Sequence, residues 1–128
     1  YPLLSTCFVH ASAADQFARL LSDLKVAWAA IQYPGLPEKI YLTGPHRYIR
    51  WIGQHGSYPS HSLERLDRSP DLLRWKDAIL ASALPGKPLF GYFNNDYAGF
   101  AVGTLLKFRK LIGWPADIPK QPKQARLF

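Results

Sequence analysis

The sequence has 128 residues, 48% of them hydrophobic and 20% charged, a composition that excludes an intrinsically disordered chain. No apolar run approaches the roughly 20 residues that a membrane-spanning helix needs, so no membrane partner is expected. The formal net charge of +7 is uneven, because residues 107–128 carry six Lys or Arg against one Asp, whereas residues 1–106 carry ten against eight acidic residues.

The first part of the chain alternates between short apolar runs and one amphipathic segment. Residues 6–9 predict the end of a strand, and apolar residues at helical spacing predict a helix over 13–24. Residues 25–31 (KVAWAAI) then predict a second strand. The segment 33–45 (YPGLPEKIYLTGP) predicts a long loop in the place of a helix, and loops of this length are often part of a functional site.

The second part repeats this alternation. Residues 46–53 (HRYIRWIG) and 88–94 (PLFGYFN) predict two further strands. Between them, residues 69–71 (SPD) are typical of a helix start, with a capping residue, a proline and an acid in the first turn. A last helix is predicted over 98–112 and is ended by Gly113.

Strands and helices in alternation predict an α/β fold with a parallel sheet. The strands are almost continuously apolar, which suits a sheet buried on both faces. Three or four strands are too few to close a barrel, and their number is about half of the eight in a (β/α)8 barrel. Residues 114–128 hold three prolines and predict an extended basic tail.

Two segments carry a family resemblance. Residues 48–53 (YIRWIG) are similar to the Y-[IV]-R-x-x-G strand of the YecE-like family, also called domain of unknown function 72. Residues 92–99 (YFNNDYAG), followed by Ala101, resemble its aromatic-F-N-N-x-x-x-G-x-A strand-to-helix turn, and residues 73–75 (LRW) resemble the helix before its last strand. The resemblance covers about residues 25–112. It implies that residues 1–113 form a partial TIM-type barrel with outer helices, the C-terminal half of a (β/α)8 barrel.

The resemblance also implies what this chain lacks. Family members resemble barrels about twice this length, and the chain contains no Met and begins with Tyr1, so we expect a fragment whose N-terminal half is missing. The family's E-F-R-H-like motif corresponds to residues 7–10 (CFVH), where the acid and the arginine are absent and His10 is the one polar residue that matches. The resemblance therefore does not extend to chemistry that requires that acid and arginine. It implies a fold and no settled activity, and cofactors stay unknown.

Active sites of βα barrels lie at the carboxyl ends of the strands. The predicted strands end in amides, an imidazole, a carboxylate and aromatic rings. The predicted catalytic residues are Asn94, Asn95, Asp96 and His55, and the predicted ligand-binding residues are Arg50, Gln54, Gln32, Tyr33 and Tyr92. The sequence thus predicts an enzyme or ligand-binding barrel for an anionic, phosphate-bearing ligand, with hydrolysis as the suggested reaction.

Two of these features have a second interpretation. Arg50 in an apolar strand needs an anionic partner, which is either a bound ligand or a structural partner such as Asp96. The polar run Asn94-Asn95-Asp96 either orients a ligand or caps the next helix. We predict that at least one of the asparagines is functional, and that Asp96 is a candidate cap.

The loop over residues 54–62 (QHGSYPSHS) contains two of the four histidines, His55 and His61. It is either a mobile lid that carries a general acid or base, or a solvated loop. No two histidines have the i, i+4 spacing of a helical metal site, and the single Cys7 excludes a cysteine-based zinc site, so no metal site is predicted. The single cysteine also favours a reducing, cytoplasmic compartment.

Two alternatives belong to other functional classes. The first is a nucleic-acid-binding module that mixes cations with aromatic rings near the C-terminal end. Its candidate residues are Lys107, Arg109, Lys110, Lys120, Lys123 and Arg126. The second is an incomplete remnant without activity, whose open strand edges would cause self-association.

Overall fold

The computed structural model describes the backbone of residues 2–116 and the side chains of residues 13–116. In chain order the elements are α1 (Pro2–Asp23), β1 (Ala30–Gln32), β2 (Arg47–Trp51), α2 (Ser69–Ala81), β3 (Leu89–Phe93), α3 (Asn95–Ala98) and α4 (Ala101–Leu111). The strands form one open sheet in the order β1-β2-β3, and both pairings are parallel. The prediction of an α/β fold with a parallel sheet is confirmed.

The core lies between one face of the sheet and the helices α2, α3 and α4. Along β2 every second side chain points to this face, so Arg47, Ile49 and Trp51 are buried. The Trp51 ring stacks on Phe93 with centroids 4.1 Å apart and meets the edge of Trp75 at 5.7 Å. Aromatic burial of this kind is a large part of what holds the helices to the sheet.

The opposite face of the sheet is uncovered among the described residues. Arg50, Phe90 and Tyr92 are all exposed on it, and the pairing register places Arg50 beside Tyr92. The prediction that the strands are buried on both faces is therefore wrong for the described chain. Because β2 and β3 carry aromatic rings on both faces, their composition alone does not distinguish a covered face from an open one.

The predicted strand at residues 6–9 is wrong, because these residues belong to α1. Between Pro2 and Pro34 the sequence contains neither Gly nor Pro, so nothing interrupts a helix upstream of the predicted start at residue 13. The local β propensity of Thr6 and Val9 does not prevail within an uninterrupted helical segment.

The predicted helix over 98–112 is divided into α3 and α4. Gly99 adopts a left-handed conformation (φ 102°), and Phe100 is extended (φ −153°). A β-carbon on Gly99 would lie 2.8 Å from the Leu63 carbonyl oxygen, so this close approach requires glycine. Gly113 ends α4 as predicted: its N–H bonds the Lys110 carbonyl, and the Trp114 N–H bonds the Arg109 carbonyl.

No helix within the described residues is both long and apolar enough to cross a membrane. The predicted tail begins at Trp114, and its residues 117–128 lie outside the described part of the chain. The proposed division at residue 113 stays a prediction.

Candidate functional site at the carboxyl edge of the sheet

The carboxyl ends of the three strands meet at one edge because the strands are parallel. The Asn94 N–H donates to the Trp51 carbonyl across this edge at 2.8 Å. Gly53 follows β2 with φ 69°, and a β-carbon there would collide with the Asp96 carbonyl oxygen. Glycine therefore lets the turn after β2 contact the start of α3.

Two histidines converge on one carboxylate at this edge. His55 Nδ1 lies 3.0 Å from Asp96 Oδ2, and His61 Nε2 lies 3.2 Å from Asp96 Oδ1. The Asp96 side chain is 7% exposed, whereas those of His55 and His61 are 98% and 40% exposed. We call these three residues the His–Asp–His cluster.

The carboxylate determines how the imidazoles are protonated. Burial raises the pKa of Asp96, but hydrogen bonds from His61, His55 and the Gly56 backbone N–H outweigh it and leave the pKa below its ordinary value. An ionised carboxylate only accepts hydrogen bonds, so His55 donates from Nδ1 and His61 from Nε2. The other ring nitrogen of each histidine is left to receive or release a proton.

The segment that carries both histidines is attached to α3. The Arg65 and Leu66 N–H groups both donate to the Ala98 carbonyl, at 2.7 and 3.3 Å. Arg68 Nε donates to the Tyr97 carbonyl at 2.9 Å, and the guanidinium lies 4.8 Å from the Tyr97 ring centre. The predicted lid is thus anchored at its far end, and its imidazoles contact Asp96.

Asn94 caps α3, as one of the two interpretations of this run predicted, whereas Asn95 lies within α3 and binds the first N–H of α4. Asn94 Oδ1 accepts the Asp96 N–H at 3.0 Å, and Asn95 Oδ1 accepts the Ala101 N–H at 2.9 Å. The candidate cap Asp96 does not cap; its carboxylate binds the two histidines instead. A ligand role for either asparagine stays a prediction.

The predicted ligand residue Gln32 is buried and has structural partners. Its Oε1 accepts hydrogen bonds from Trp75 Nε1 and from the Tyr97 hydroxyl, both at 2.7 Å. Gln32 and the exposed Tyr33 also line a cavity of about 280 Å³ beside Gly53. Burial raises the pKa of the Tyr97 phenol. Gln54 is exposed beside the cluster.

Arg50 is not the buried cation that the sequence predicted. It is exposed on the uncovered face, and no carboxylate of the described chain lies within 4.0 Å of it. The suggested ion pair with Asp96 is wrong, because the partners of Asp96 are histidines. Tyr92 lies on the same face, 5.5 Å from Tyr48 between ring centres.

The basic residues of the nucleic-acid alternative differ in their surroundings. Lys107 Nζ lies 2.9 Å from Glu64 and 3.6 Å from Asp67, so its charge is already paired. Arg109 is partly buried, and Lys110 is exposed. Lys120, Lys123 and Arg126 lie outside the described residues.

Sequence reasoning missed three contributors to this edge. His61 was predicted as part of the loop and not as a site residue, and no site role was predicted for Tyr97 or Arg68. A signal existed for His61, since it shares a loop with His55. Nothing in the local sequence around Tyr97 points to its hydrogen bond with Gln32, 65 residues away.

The described side chains contain no group of three or more His, Cys, Asp or Glu arranged to hold a metal ion. The comparisons with curated proteins and with solved structures found no match. Residues 5–126 match the family model described as protein of unknown function DUF72. This match spans nearly the whole sequence and includes the carboxyl edge, so the chain belongs to the DUF72 family.

Proposed function

We propose that the carboxyl edge of the sheet binds a small phosphate-bearing molecule and that the His–Asp–His cluster performs acid–base chemistry on it. The observation that carries this proposal is the convergence of His55 and His61 on the buried Asp96 carboxylate. A carboxylate that fixes the tautomer of an accessible imidazole is a recurring arrangement in general acid–base catalysis.

The charges of the edge favour an anion when the histidines are protonated. Two protonated imidazoles and one carboxylate carry a net charge of +1, whereas two neutral imidazoles leave −1. Phosphate should therefore bind more tightly when the two imidazoles are protonated than when they are neutral. Arg50, without a carboxylate partner among the described residues, is the second candidate cation.

Hydrolysis is the reaction that these groups suit best. The free nitrogen of His55 would take a proton from an attacking water, and His61 would give one to the leaving oxygen. Both transfers need groups that change protonation near neutral pH, which imidazoles provide. Asp96 would hold both rings in place and would not itself transfer a proton.

We also propose that this sheet is half of a TIM-type barrel. Three observations support it: parallel strands in chain order, helices on one face, and an uncovered face with aromatic side chains. In a closed barrel that face would point inward and place Arg50 and Tyr92 toward the site. The remaining strands would come from an N-terminal half or from a second copy. Light scattering distinguishes these cases, since a folded dimer supports the second and a folded monomer contradicts it.

The binding proposal is tested by NMR of the imidazole ¹⁵N signals during titration with inorganic phosphate and then adenosine monophosphate. His46 is a built-in control, because it precedes β2 at the opposite end of the strand and packs on Phe90, with ring centres 5.5 Å apart. The expected result is a saturable shift of the His55 and His61 signals and none for His46.

Substitutions distinguish the contribution of Arg50 to phosphate binding from that of the two histidines. Arg50→Gln should weaken phosphate binding at every pH, whereas Asp96→Asn should change the pH dependence of the His55 and His61 signals. Arg65→Gln is the matched control, since Arg65 is also an exposed arginine but lies outside β2, in the loop between β2 and α2. Equal shifts at all three histidines, or unchanged affinity in Arg50→Gln, would contradict the proposal.

A further inference from the structure

A second concave region lies between α2 and α4, over the helix-covered side of β3. It is a cleft of about 520 Å³, within the size range of small-molecule sites. It shares no residue with the His–Asp–His cluster. Most of its lining is apolar, including Ile79, Leu80, Leu105, Phe108, Ile112 and Trp114.

Three polar groups of this cleft have no hydrogen-bond partner in the described chain. They are Arg47 Nε, Trp51 Nε1 and Arg109 Nε, and all three atoms are inaccessible to solvent. Each belongs to a residue that lines the cleft. Buried donors are nearly always paired, so three unpaired ones beside this cleft leave its positive potential uncompensated within the described chain.

The positive charge of the cleft indicates what kind of ligand would compensate it. Arg47 is 8% exposed, and its Nη1 donates to two neutral oxygens, the Ile79 carbonyl at 2.8 Å and Ser82 Oγ at 3.1 Å. Within the described residues, no carboxylate lies within 4.0 Å of Arg47 or Arg109, unlike Arg68 and Arg74. A buried guanidinium without an anion is unfavourable.

We propose that this cleft binds a medium-chain carboxylate, with its apolar body against Leu105 and Phe108 and its carboxylate beside the two arginines. Because the three unpaired donor atoms are themselves inaccessible, the carboxylate would pair with the guanidinium charges of Arg47 and Arg109 and not with those atoms. The cleft suits such a ligand in both polarity and charge. Its apolar lining would contact the hydrocarbon chain, and the two arginines without a carboxylate partner would bind the carboxylate.

The test is calorimetric titration with sodium decanoate, and decan-1-ol is the matched neutral probe. Decanoate should bind at least about tenfold more tightly than decanol, since charged hydrogen bonds contribute 1.5–3 kcal/mol. Arg109→Gln should remove most of that preference, and Leu105→Trp should abolish binding by filling the cleft. Arg65→Gln, which lies outside the cleft, should leave decanoate binding unchanged.

A second measurement needs no variant. Bromine quenches tryptophan fluorescence on contact, and Trp51 and Trp114 line the cleft whereas Trp28 and Trp75 do not. Bromodecanoate should therefore quench part of the wild-type emission, and decanoate should reverse it. Equal binding of decanol, unchanged preference in Arg109→Gln, or absence of quenching would overturn the proposal.

The alternative is that an acid of this chain completes the cleft, and the same assays identify that outcome. Asp117 is the first acid after Trp114 and lies outside the described residues. If wild-type protein does not bind decanoate but Asp117→Asn does, the acceptor belongs to the chain and the ligand proposal is wrong.

Discussion

Replacement of Gln32 by leucine tests whether this residue serves the fold or a ligand. Its side-chain oxygen accepts from Trp75 Nε1 and the Tyr97 hydroxyl, and both partners are 1% exposed. Leucine has a similar size and cannot accept, so both donors would be left unpaired in the core. At about 1–3 kcal/mol for each of the two unpaired donors, Gln32→Leu should lower the free energy of unfolding by about 2–6 kcal/mol.

The assay is urea unfolding followed by far-ultraviolet circular dichroism, with the denaturant slope checked for constancy. Gln54→Leu is the matched control, because Gln54 is exposed and the side-chain amide has no partner among the described residues. That control should change stability by less than about 0.5 kcal/mol.

A double substitution makes the test specific. Tyr97→Phe removes one of the two donors, so Gln32→Leu should cost less in that background than in the wild type, by roughly 1 kcal/mol or more. Equal costs in both backgrounds, or a cost no larger than that of Gln54→Leu, would refute the argument and return Gln32 to the list of ligand-binding candidates.

Three further outcomes are expected. Because the pKa of Asp96 is lower in the folded than in the unfolded chain, the unfolded state binds more protons in acid. The free energy of unfolding should therefore fall as the pH drops from about 4 through the folded pKa. Asp96→Asn should reduce this loss of stability in an acid titration followed by circular dichroism. The same loss of stability in acid in the wild type and in Asp96→Asn would contradict the contacts of Asp96 with the two histidines. Gly53→Ala should destabilise the fold by more than Gly35→Ala in urea unfolding. Both glycines have positive φ, but a β-carbon at Gly35 meets nothing within 4 Å. Gly35→Ala should therefore cost only about 1–2 kcal/mol, from the backbone conformation alone. Equal losses would show that the turn does not need the close approach. If the basic end binds single-stranded DNA, Lys110→Gln should weaken binding more than Lys107→Gln in a filter-binding assay, because Lys107 is already paired with Glu64. A larger effect at Lys107 would argue that its ion pair opens on binding.

Local sequence signals predicted the second part of the fold well. The helix start at the Ser-Pro-Asp sequence and the helix end at Gly113 depend on a few adjacent residues, so both positions could be predicted. The predicted capping role of Ser69 is wrong, because Arg68 is the N-cap residue of α2 and no side chain caps this end of the helix. The break at Gly99 was not, because it depends on the approach of the loop at Leu63, which is 36 positions earlier in the chain.

The candidate site was predictable as a position but not as a set of contacts. The rule that sites lie at the carboxyl edge pointed to His55 and Asp96. It could not show that His61 shares the same carboxylate, since the two residues are separated by 35 positions. Arg50 was misjudged because an apolar strand does not reveal which of its faces is covered.

The alternation along β2 also limits how the length of this chain can change. Successive side chains of a strand point to opposite faces, so one extra residue inside β2 would place Arg50 among the aromatic rings and Trp51 in the open. An insertion in the connections at 33–45 or 54–68 leaves this order intact, because the strand can keep its register while the loop absorbs the extra residue. Length variation compatible with this architecture is therefore confined to the segments that join the strands, and these are the segments that surround the carboxyl edge.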